Sequence, residues 1–437
     1  MLAKFKEHID LHFPFLKKGK SLIAVSGGID SVVLTHLCHQ LGFDFSLCHC
    51  NFKLRGQESD DDEAFVKNLG KELQVPTYTT FFETEKFAKQ HKLSIQIAAR
   101  DLRYQWFYEL LENKSYDYVL TAHNTNDNLE TFLINMTRGS GLKGFTGIPA
   151  INQQSIRPLL RFSRDEITLY AIKNEIVWRE DKSNSSIKYI RNKIRHKILP
   201  VLKEINPHLL ENFQKTIENL KESESIVDDF TKNISDQIIT REGELIKLSI
   251  KELKQLRNKK AYLYQILSDY GFSQWNDILD LISAQPGKQI FSKTHRLIKD
   301  RYFIILTKIN KNQLKNPVII EESDLEIKTP IHICFEQTSE DVPMNQSEII
   351  VNKELLNYPL RLRKWRHGDG MYPIGMTGSK KISQLFKDNK LSLIDKEKIW
   401  LLVDANNTII WVVGLRQDRR FAVSETDKNR LKISLRS

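Results

Sequence analysis

The sequence predicts an α/β protein: an amino-terminal domain built on a doubly wound parallel sheet, then a mainly helical middle domain and a small mixed α/β carboxy-terminal domain. Three observations carry this. In the first half, short β-branched or apolar runs alternate with longer helical patterns, as in a sheet covered on both faces. A turn of small residues, Ser26-Gly27-Gly28, joins the first strand to the first buried helix. From about Pro207 the alternation stops, and long helical patterns give way to short strands. At 437 residues the chain is too long for one core, so we expect domains over 1–207, 208–310 and 311–437.

Taken in order, Leu2, Phe5, Ile9 and Phe13 recur at helical spacing and predict a short leading helix. Leu22 to Val25 is a buried strand, and Val32, Val33, Leu34 and Leu37 continue as a buried helix begun at Asp30 and Ser31. Phe43–Cys48 is a second strand. Glu58–Leu73 is a helix whose acidic first turn suits the helix dipole and a solvated start. Thr77–Phe82 is a β-branched and aromatic strand. Ser94–Leu111 is a helix with Ile97, Leu102, Phe107 and Leu110 among its apolar positions. Tyr116–Thr121 is a strand and Asn126–Arg138 a helix. Ser163-Arg164-Asp165-Glu166 is a capping box. Ile187, Ile190, Ile194 and Ile198 form one apolar stripe, with six basic and no acidic residues from Lys188 to Lys203; this predicts an amphipathic helix with a basic outer face. The middle domain follows, then a polar linker at Asn310–Asn316. Trp400–Gly414 reads as a hairpin turning at Ala405-Asn406-Asn407.

Composition narrows the function. Lys and Arg number 66 against 55 acidic residues, a net charge of +11, which suits a polyanionic partner. Four cysteines are too few for a disulfide framework and point to a reducing, cytoplasmic setting. Cys48-His49-Cys50 lacks a second pair at zinc spacing, so its cysteines read as buried apolar residues. No apolar run reaches membrane-spanning length, and no signal peptide or membrane partner is expected.

The chemistry begins at Ser26-Gly27-Gly28-Ile29-Asp30-Ser31. Free amides at a helix start, together with the helix dipole, make an anion site, and the glycines let backbone approach phosphate oxygens. Ser26 and Ser31 offer hydroxyls, and Asp30 offers a carboxylate for magnesium. The loop is neither G-x-x-x-x-G-K-[ST] nor G-x-G-x-x-G. His49–Arg55 and Thr121–Asn128 also follow strands, and the three stretches converge on one sheet edge. Between Arg361 and Lys390 eight basic residues, among them Lys364, Arg366, Lys380 and Lys381, face two acidic ones. Trp365, Tyr372 and Phe386 lie among them, a mixture that suits RNA phosphates and bases.

The loop resembles the SGGxDS pyrophosphate loop of the ATP pyrophosphatase (PP-loop) superfamily. His49-Cys50-Asn51-Phe52-Lys53-Leu54-Arg55-Gly56 with Glu58-Ser59 resembles an H-x-N-H-x-L-R-G-x-E-S segment of the tRNA(Ile)-lysidine synthetase family. Ala98-Ala99-Arg100 with Arg103-Tyr104, and Thr121-Ala122-His123 with Asp127, Glu130 and Thr131, are similar to further family segments. So are Arg138-Gly139-Ser140-Gly141-Leu142, Ile156-Arg157-Pro158, Asp181 with Ser183-Asn184, Arg191-Asn192 with Ile194-Arg195, and Lys364-Trp365-Arg366 with Gly368-Asp369.

The resemblance implies a PP-loop sheet and ATP-dependent attachment of free lysine to the wobble cytidine of an isoleucine tRNA with a CAU anticodon. Adenylation of the cytidine carbonyl makes AMP the leaving group for the lysine ε-amine. It implies that Ser26, Gly27, Gly28, Ile29, Asp30 and Ser31 hold ATP, and that Asp30 and Asp127 hold Mg2+. Arg100 and Arg103 would bridge phosphate or the substrate carboxylate. Glu130 or Asp127 would take the lysine, the two carboxylates dividing metal and lysine in either order. Lys188, Arg191 and Arg195, with Lys364, Arg366, Lys380 and Lys381, would bind tRNA. Two positions depart from the family: Asn126 replaces the first of paired aspartates, and Phe52 replaces a histidine. A tRNA thiolase is the alternative within the superfamily, but no C-x-x-C is present. A non-catalytic RNA-binding protein and a small-molecule amidating synthetase are the others. The sequence leaves a homodimer open.

Overall fold

A computed structural model describes residues 1–180, 190–309, 317–340 and 345–436. Asp181, Ser183, Asn184, Ile187, Lys188 and the expected linker at 310–316 lie outside the described residues. The chain forms two compact units, Met1–Asp228 and Asp229–Ser437.

The first unit centres on a six-stranded sheet. Its strands are β1 (Ser21–Ala24), β2 (Phe45–Asn51), β3 (Thr77–Phe81), β4 (Tyr118–Leu120), β5 (Ile151–Asn152) and β6 (Ser155–Ile156), in the order β3-β2-β1-β4-β6-β5. All neighbours are parallel except β5 and β6 at the edge. Successive strand residues point to opposite faces, and here both faces are covered. Ile23, Leu47 and Leu120 enter one core with Phe5 and Ile9 of α1 (Leu2–His12) and Val33 and Leu37 of α2 (Ile29–Gln40). Leu22, Cys48 and Val119 enter the other, with Phe107, Leu110 and Leu111. That doubly wound arrangement is the one the alternation predicts. Strand order reverses between β1 and β4, so the crevice at their carboxyl ends is where ligands seat in such sheets.

The remaining helices are α3 (Gln57–Glu72), α4 (Thr84–His91), α5 (Ile95–Lys114), α6 (Thr125–Thr137), α7 (Leu142–Phe145), α8 (Arg164–Lys173), α9 (Ile190–Lys193), α10 (Leu199–Ile205) and α11 (Leu209–Ile238). Ser163 and Glu166 form the expected capping box of α8. Of the apolar positions expected on α5, Ile97 is exposed while Phe107 and Leu110 are buried.

The predicted amphipathic helix is not continuous. A π-type turn over Ile194–Ile198 separates α9 from α10. Ile194 is buried with Leu129 of α6 and Phe213 and Ile217 of α11, but Ile190 and Ile198 are exposed, so the isoleucine stripe is not one core face. Arg191, just before this turn, and Arg195, within it, both reach carboxylates of α6.

In the second unit, an antiparallel sheet runs Ile239–Glu242, Leu245–Ser249, Phe303–Lys308, His295–Lys299, Gln289–Phe291, packed by helices at Ile250–Gln255, Lys259–Leu267 and Trp275–Asp280. The middle region thus holds more strand than its helical pattern predicts. The carboxy-terminal region has a five-stranded and a four-stranded sheet sharing a core around Trp411 and Ile433. Its hairpin of Leu401–Val403 with Ile409–Val412 turns through Asn407, as expected. Middle and carboxy-terminal regions join within this unit through Ile298, Ile305 and Ile394 and a two-pronged Arg296–Glu397 pair (2.8 and 2.5 Å). The helix α11 begins just past the expected 207/208 boundary, and its residues to Asp228 belong with the first unit. Among the described residues no helix is long and apolar enough to cross a membrane.

Candidate nucleotide and tRNA site

The loop after β1 is folded by its own serines. Gly27 sits at φ +88°, a region that disfavours side chains, and Gly28 is the N-cap of α2 in extended conformation. No side chain caps this helix. The N–H groups of Ile29, Asp30 and Ser31 therefore have no intrahelical acceptor and point out of the helix start. Ser31 Oγ donates to the Gly28 carbonyl (2.8 Å) and accepts from the Ser26 N–H (3.2 Å). Ser31 is 5% exposed, so its hydroxyl shapes the loop instead of offering its proton to a phosphate, as the sequence reading expected. Ser26 is exposed and keeps its hydroxyl at the surface. The helix starts at Ile29 with Gly28 as its cap; Asp30 and Ser31 lie inside the first turn.

Asp30 faces the start of α6. Its Oδ1 accepts from Asn124 Nδ2 (3.0 Å), and its Oδ2 pairs with Arg164 Nη1. Asn124 and Asp127 form a reciprocal capping box, Asn124 Oδ1 accepting from the Asp127 N–H and Asp127 Oδ2 from the Asn124 N–H. One asparagine thus links the two predicted metal carboxylates. Burial raises the Asp30 pKa and the charge of Asp127 adds to this, against Arg164, Asn124 and Arg195, which lower it. A carboxylate still discouraged from ionising beside an arginine has room for more positive charge, so the donor set fits Mg2+ held by Asp30 and Asp127. Asn126 points elsewhere: its Oδ1 accepts the Arg164 N–H (3.0 Å). The lost family carboxylate is therefore a support for α8 and not a gap between Asp30 and Asp127.

Glu130 is fully buried on α6. Arg191 Nε donates to its Oε2 (2.7 Å), Arg195 Nε to Oε1 (2.6 Å) and Arg195 Nη2 to Oε2 (3.0 Å). Arg195 Nη2 also reaches Asp127 Oδ1 (3.1 Å). This corrects two expectations. Arg191 and Arg195 are not on an outer tRNA-binding face; they line the carboxylate cluster. Glu130 does not stand open for a lysine ammonium, since both its oxygens are held by guanidiniums.

Nearby, Arg103 lies over the Phe52 ring (5.2 Å), which stacks on Phe82 (5.8 Å). The aromatic at the family's histidine position is thus a shelf for Arg103. Arg100 is exposed over Tyr104 (5.2 Å). His123 accompanies them: burial, with Arg157, Arg191 and Arg103, lowers its pKa to about 4 against the opposing Asp127. His49 Nδ1 donates to the Val25 carbonyl (2.8 Å), and burial keeps that ring neutral. The acidic start of α3 is not merely solvated. Asp62 takes Arg55 Nη2 (2.9 Å) and Arg179 Nε (2.6 Å), and the Arg179 N–H donates to the Gly27 carbonyl (3.0 Å). Asn124, Arg164 and Arg179 were not singled out from sequence as site residues; the N-x-x-D spacing of Asn124 and Asp127 was the available signal.

The second unit sorts the remaining tRNA candidates. Arg366 and Lys381 are exposed. Lys364 is not free for phosphate: its ammonium donates to the Lys398 (2.9 Å) and Ile399 (3.3 Å) carbonyls and lies 3.9 Å from the Trp400 ring centre. Burial lowers its pKa to about 8. Lys380 pairs with Asp388 (2.5 Å). Phe386 is buried and Trp365 packs edge-on against it, so these two aromatics are core residues and not stacking platforms; Tyr372 stays part-exposed. Lys188 lies outside the described residues.

The sequence model of the PP-loop domain matches residues 1–202, that of the TilS substrate binding domain residues 241–309, and that of the TilS substrate C-terminal domain residues 360–433. A protein of Parabacteroides distasonis named tRNA(Ile)-lysidine synthase is 37% identical over 413 residues, 93% of this chain and 93% of that one. One of the same name from Bacteroides thetaiotaomicron is 36% identical over 428 residues, 97% and 96% of the two chains. Another, from Bacillus subtilis, is 29% identical over 443 residues, 95% and 94%. With likeness of that degree along more than nine-tenths of both partners, the chain belongs to the tRNA(Ile)-lysidine synthase family.

Proposed function

We propose that the protein is an ATP-dependent carbon–nitrogen ligase that joins free lysine to the wobble cytidine of isoleucine tRNA with a CAU anticodon, through an adenylated cytidine, releasing AMP and pyrophosphate. The observation that carries the reading is the uncapped start of α2, set beside Asp30 and Asp127 through the single side chain of Asn124.

The ring carbonyl oxygen of cytidine is a poor leaving group, and adenylation replaces it with AMP. The amides of Gly28, Ile29, Asp30 and Ser31 and the hydroxyl of Ser26 suit the pyrophosphate end of ATP. Asp30 and Asp127 would hold Mg2+, which supplies charge neutralisation to the departing pyrophosphate. Arg103, held above Phe52, and Arg100 on the same helix suit a phosphate or the lysine carboxylate. Glu130 acts as a positioning residue, fixing the forks of Arg191 and Arg195 at the mouth of the cluster. Asp127, with its side chain 17% exposed against 0% for Glu130, is the carboxylate that solutes meet first. Arg366 and Lys381, with Arg257 and Lys260 around a cleft of about 620 Å3 floored by Tyr264 and Trp275, suit RNA phosphates and bases. A cytoplasmic setting and a reducing environment fit four free cysteines.

Sulfur transfer is disfavoured because the three cysteines of the first unit, Cys38, Cys48 and Cys50, are not ready thiolates. Burial pushes the Cys38 and Cys48 thiols far up and Cys50 to about 12. The test is mass analysis of tRNA incubated with the protein, ATP and lysine. A lysine-dependent mass increase on one cytidine, with AMP formed in equal amount, is expected. A mass increase that requires a sulfur donor, or none with lysine and ATP, overturns the reading.

A further inference from the structure

In the carboxy-terminal region, a short edge strand, Glu326–Ile327, pairs with His332–Gln337. His332 and Cys334 are two residues apart on one strand and share a face. Glu326 lies opposite Cys334 in the antiparallel register. The three side chains converge: Glu326 Oε2 is 3.1 Å from His332 Nε2, Cys334 Sγ is 3.6 Å from the same nitrogen, and all three atoms lie within 4.8 Å of one another.

Both hydrogen-bond contacts within this group run through the one nitrogen His332 Nε2. A ring nitrogen presents either one proton or one lone pair, so Nε2 serves the carboxylate or the thiol, not both at once. A central cation serves all three. Zinc takes nitrogen and oxygen at about 2.05 Å and sulfur at about 2.3 Å, so a tetrahedral site spaces N from O by about 3.3 Å and N from S by about 3.6 Å. Two of the three edges, 3.1 and 3.6 Å, are close to that spacing, and the third lies within 4.8 Å. The ligand chemistry is also selective, since thiolate with imidazole favours zinc over magnesium or calcium. Lys328 Nζ holds the other carboxylate oxygen, Oε1, at 2.9 Å and leaves Oε2 to the cluster. Cys334 is buried, while His332 is a third exposed and Glu326 nearly half, which gives an entry path and an open fourth position for water.

We propose that Glu326, His332 and Cys334 bind one thiophilic divalent cation of the zinc class. Binding displaces the Cys334 thiol proton to solvent and takes His332 neutral through Nε2. The cation would clip the two-residue edge strand to its sheet, a structural role apart from the nucleotide site. The full-length protein, stripped with a chelator, is titrated with Co2+ alone and then with Zn2+. A thiolate-to-cobalt absorption band that saturates at one equivalent and is erased by Zn2+ is expected. Cys334→Ser should abolish the band, and His332→Gln and the surface change Glu326→Gln should each weaken binding at least about tenfold. Absence of the band in the native protein, its persistence in Cys334→Ser, or unchanged affinity in both other variants overturns the proposal.

Discussion

Arg195→Ala separates two roles for the basic segment after α8. Glu130 is fully buried and accepts three charge-assisted bonds, two of them from Arg195. Removing one partner of a fully buried pair costs about 3–5 kcal/mol, because the remaining charge is left without compensation. Here Arg191 stays, and the Arg195 side chain is 36% exposed, so solvent recovers part of the loss. About 2 kcal/mol is the expected cost. For a unit ending at Asp228 this lowers the melting temperature by about 4–8 °C. Calorimetry of the full chain resolves the unit that melts early, and the cycle Arg195→Ala, Glu130→Ala and the double variant isolates the pairwise part. A coupling above about 1 kcal/mol is expected. A phosphate-binding arginine on an outer face predicts the reverse: unchanged melting, near-zero coupling with Glu130 and a shallower salt dependence of tRNA binding. A coupling under about 0.3 kcal/mol, the size found for exposed pairs, refutes the inward assignment.

Asp30→Asn removes a charge whose burial and whose neighbour Asp127 oppose ionisation, so the folded protein should melt at higher temperature at pH 7 while AMP formation falls by orders of magnitude; lower melting with intact AMP formation contradicts both halves. His123 has a folded pKa of about 4 against an ordinary 6.5, so the unfolded chain binds the extra proton between those values. Its contribution to stability is complete above pH 6.5 and is lost as pH falls toward 4; urea midpoints at pH 7 and pH 5 should differ less in His123→Gln than in the native protein. Arg366→Glu and Lys381→Glu should each lower the salt slope of tRNA binding by about one or more, whereas Lys364→Met should leave the slope unchanged and lower stability, as its ammonium caps carbonyls beside Trp400; filter binding across a salt series and thermal melts check both.

What the sequence made legible was local and periodic. The strand of Leu22 and Ile23, the glycine turn and the buried helix follow from residues adjacent in sequence, and the two-faced burial of the sheet from their alternation. The capping box at Ser163 and the hairpin at Asn407 are likewise short-range patterns. The misses depend on partners far along the chain. Arg195 reads as one of a run of basic residues, and nothing within several residues of it is acidic. Its partner Glu130 is 65 positions away, brought into reach only when Ile194 packs between α6 and α11. Lys364 reads as a phosphate ligand until the carbonyls of Lys398 and Ile399 fold beneath it. A charge count identifies a basic segment; it does not say which charges are already spoken for.

Those distant pairings also bear on how the site works. Asp30, Asp127 and Glu130 are each met by a guanidinium, from Arg164, Arg195 and Arg191. Either Arg164 or Arg195, turning to hold a phosphate oxygen, would leave a partly buried carboxylate uncompensated, at a cost that grows with desolvation. A cation arriving with the nucleotide removes that cost, whereas the anion alone incurs it. On the proposed reading the carboxylates and arginines would tie phosphate binding to divalent-cation binding in both directions, since coupling free energies are reciprocal. Replacing Arg164 with Gln weakens that tie from the Asp30 side: nucleotide affinity should then depend less steeply on magnesium concentration, and a dependence as steep as in the native chain would mean that Asp30 and Arg164 do not exchange partners when the nucleotide binds.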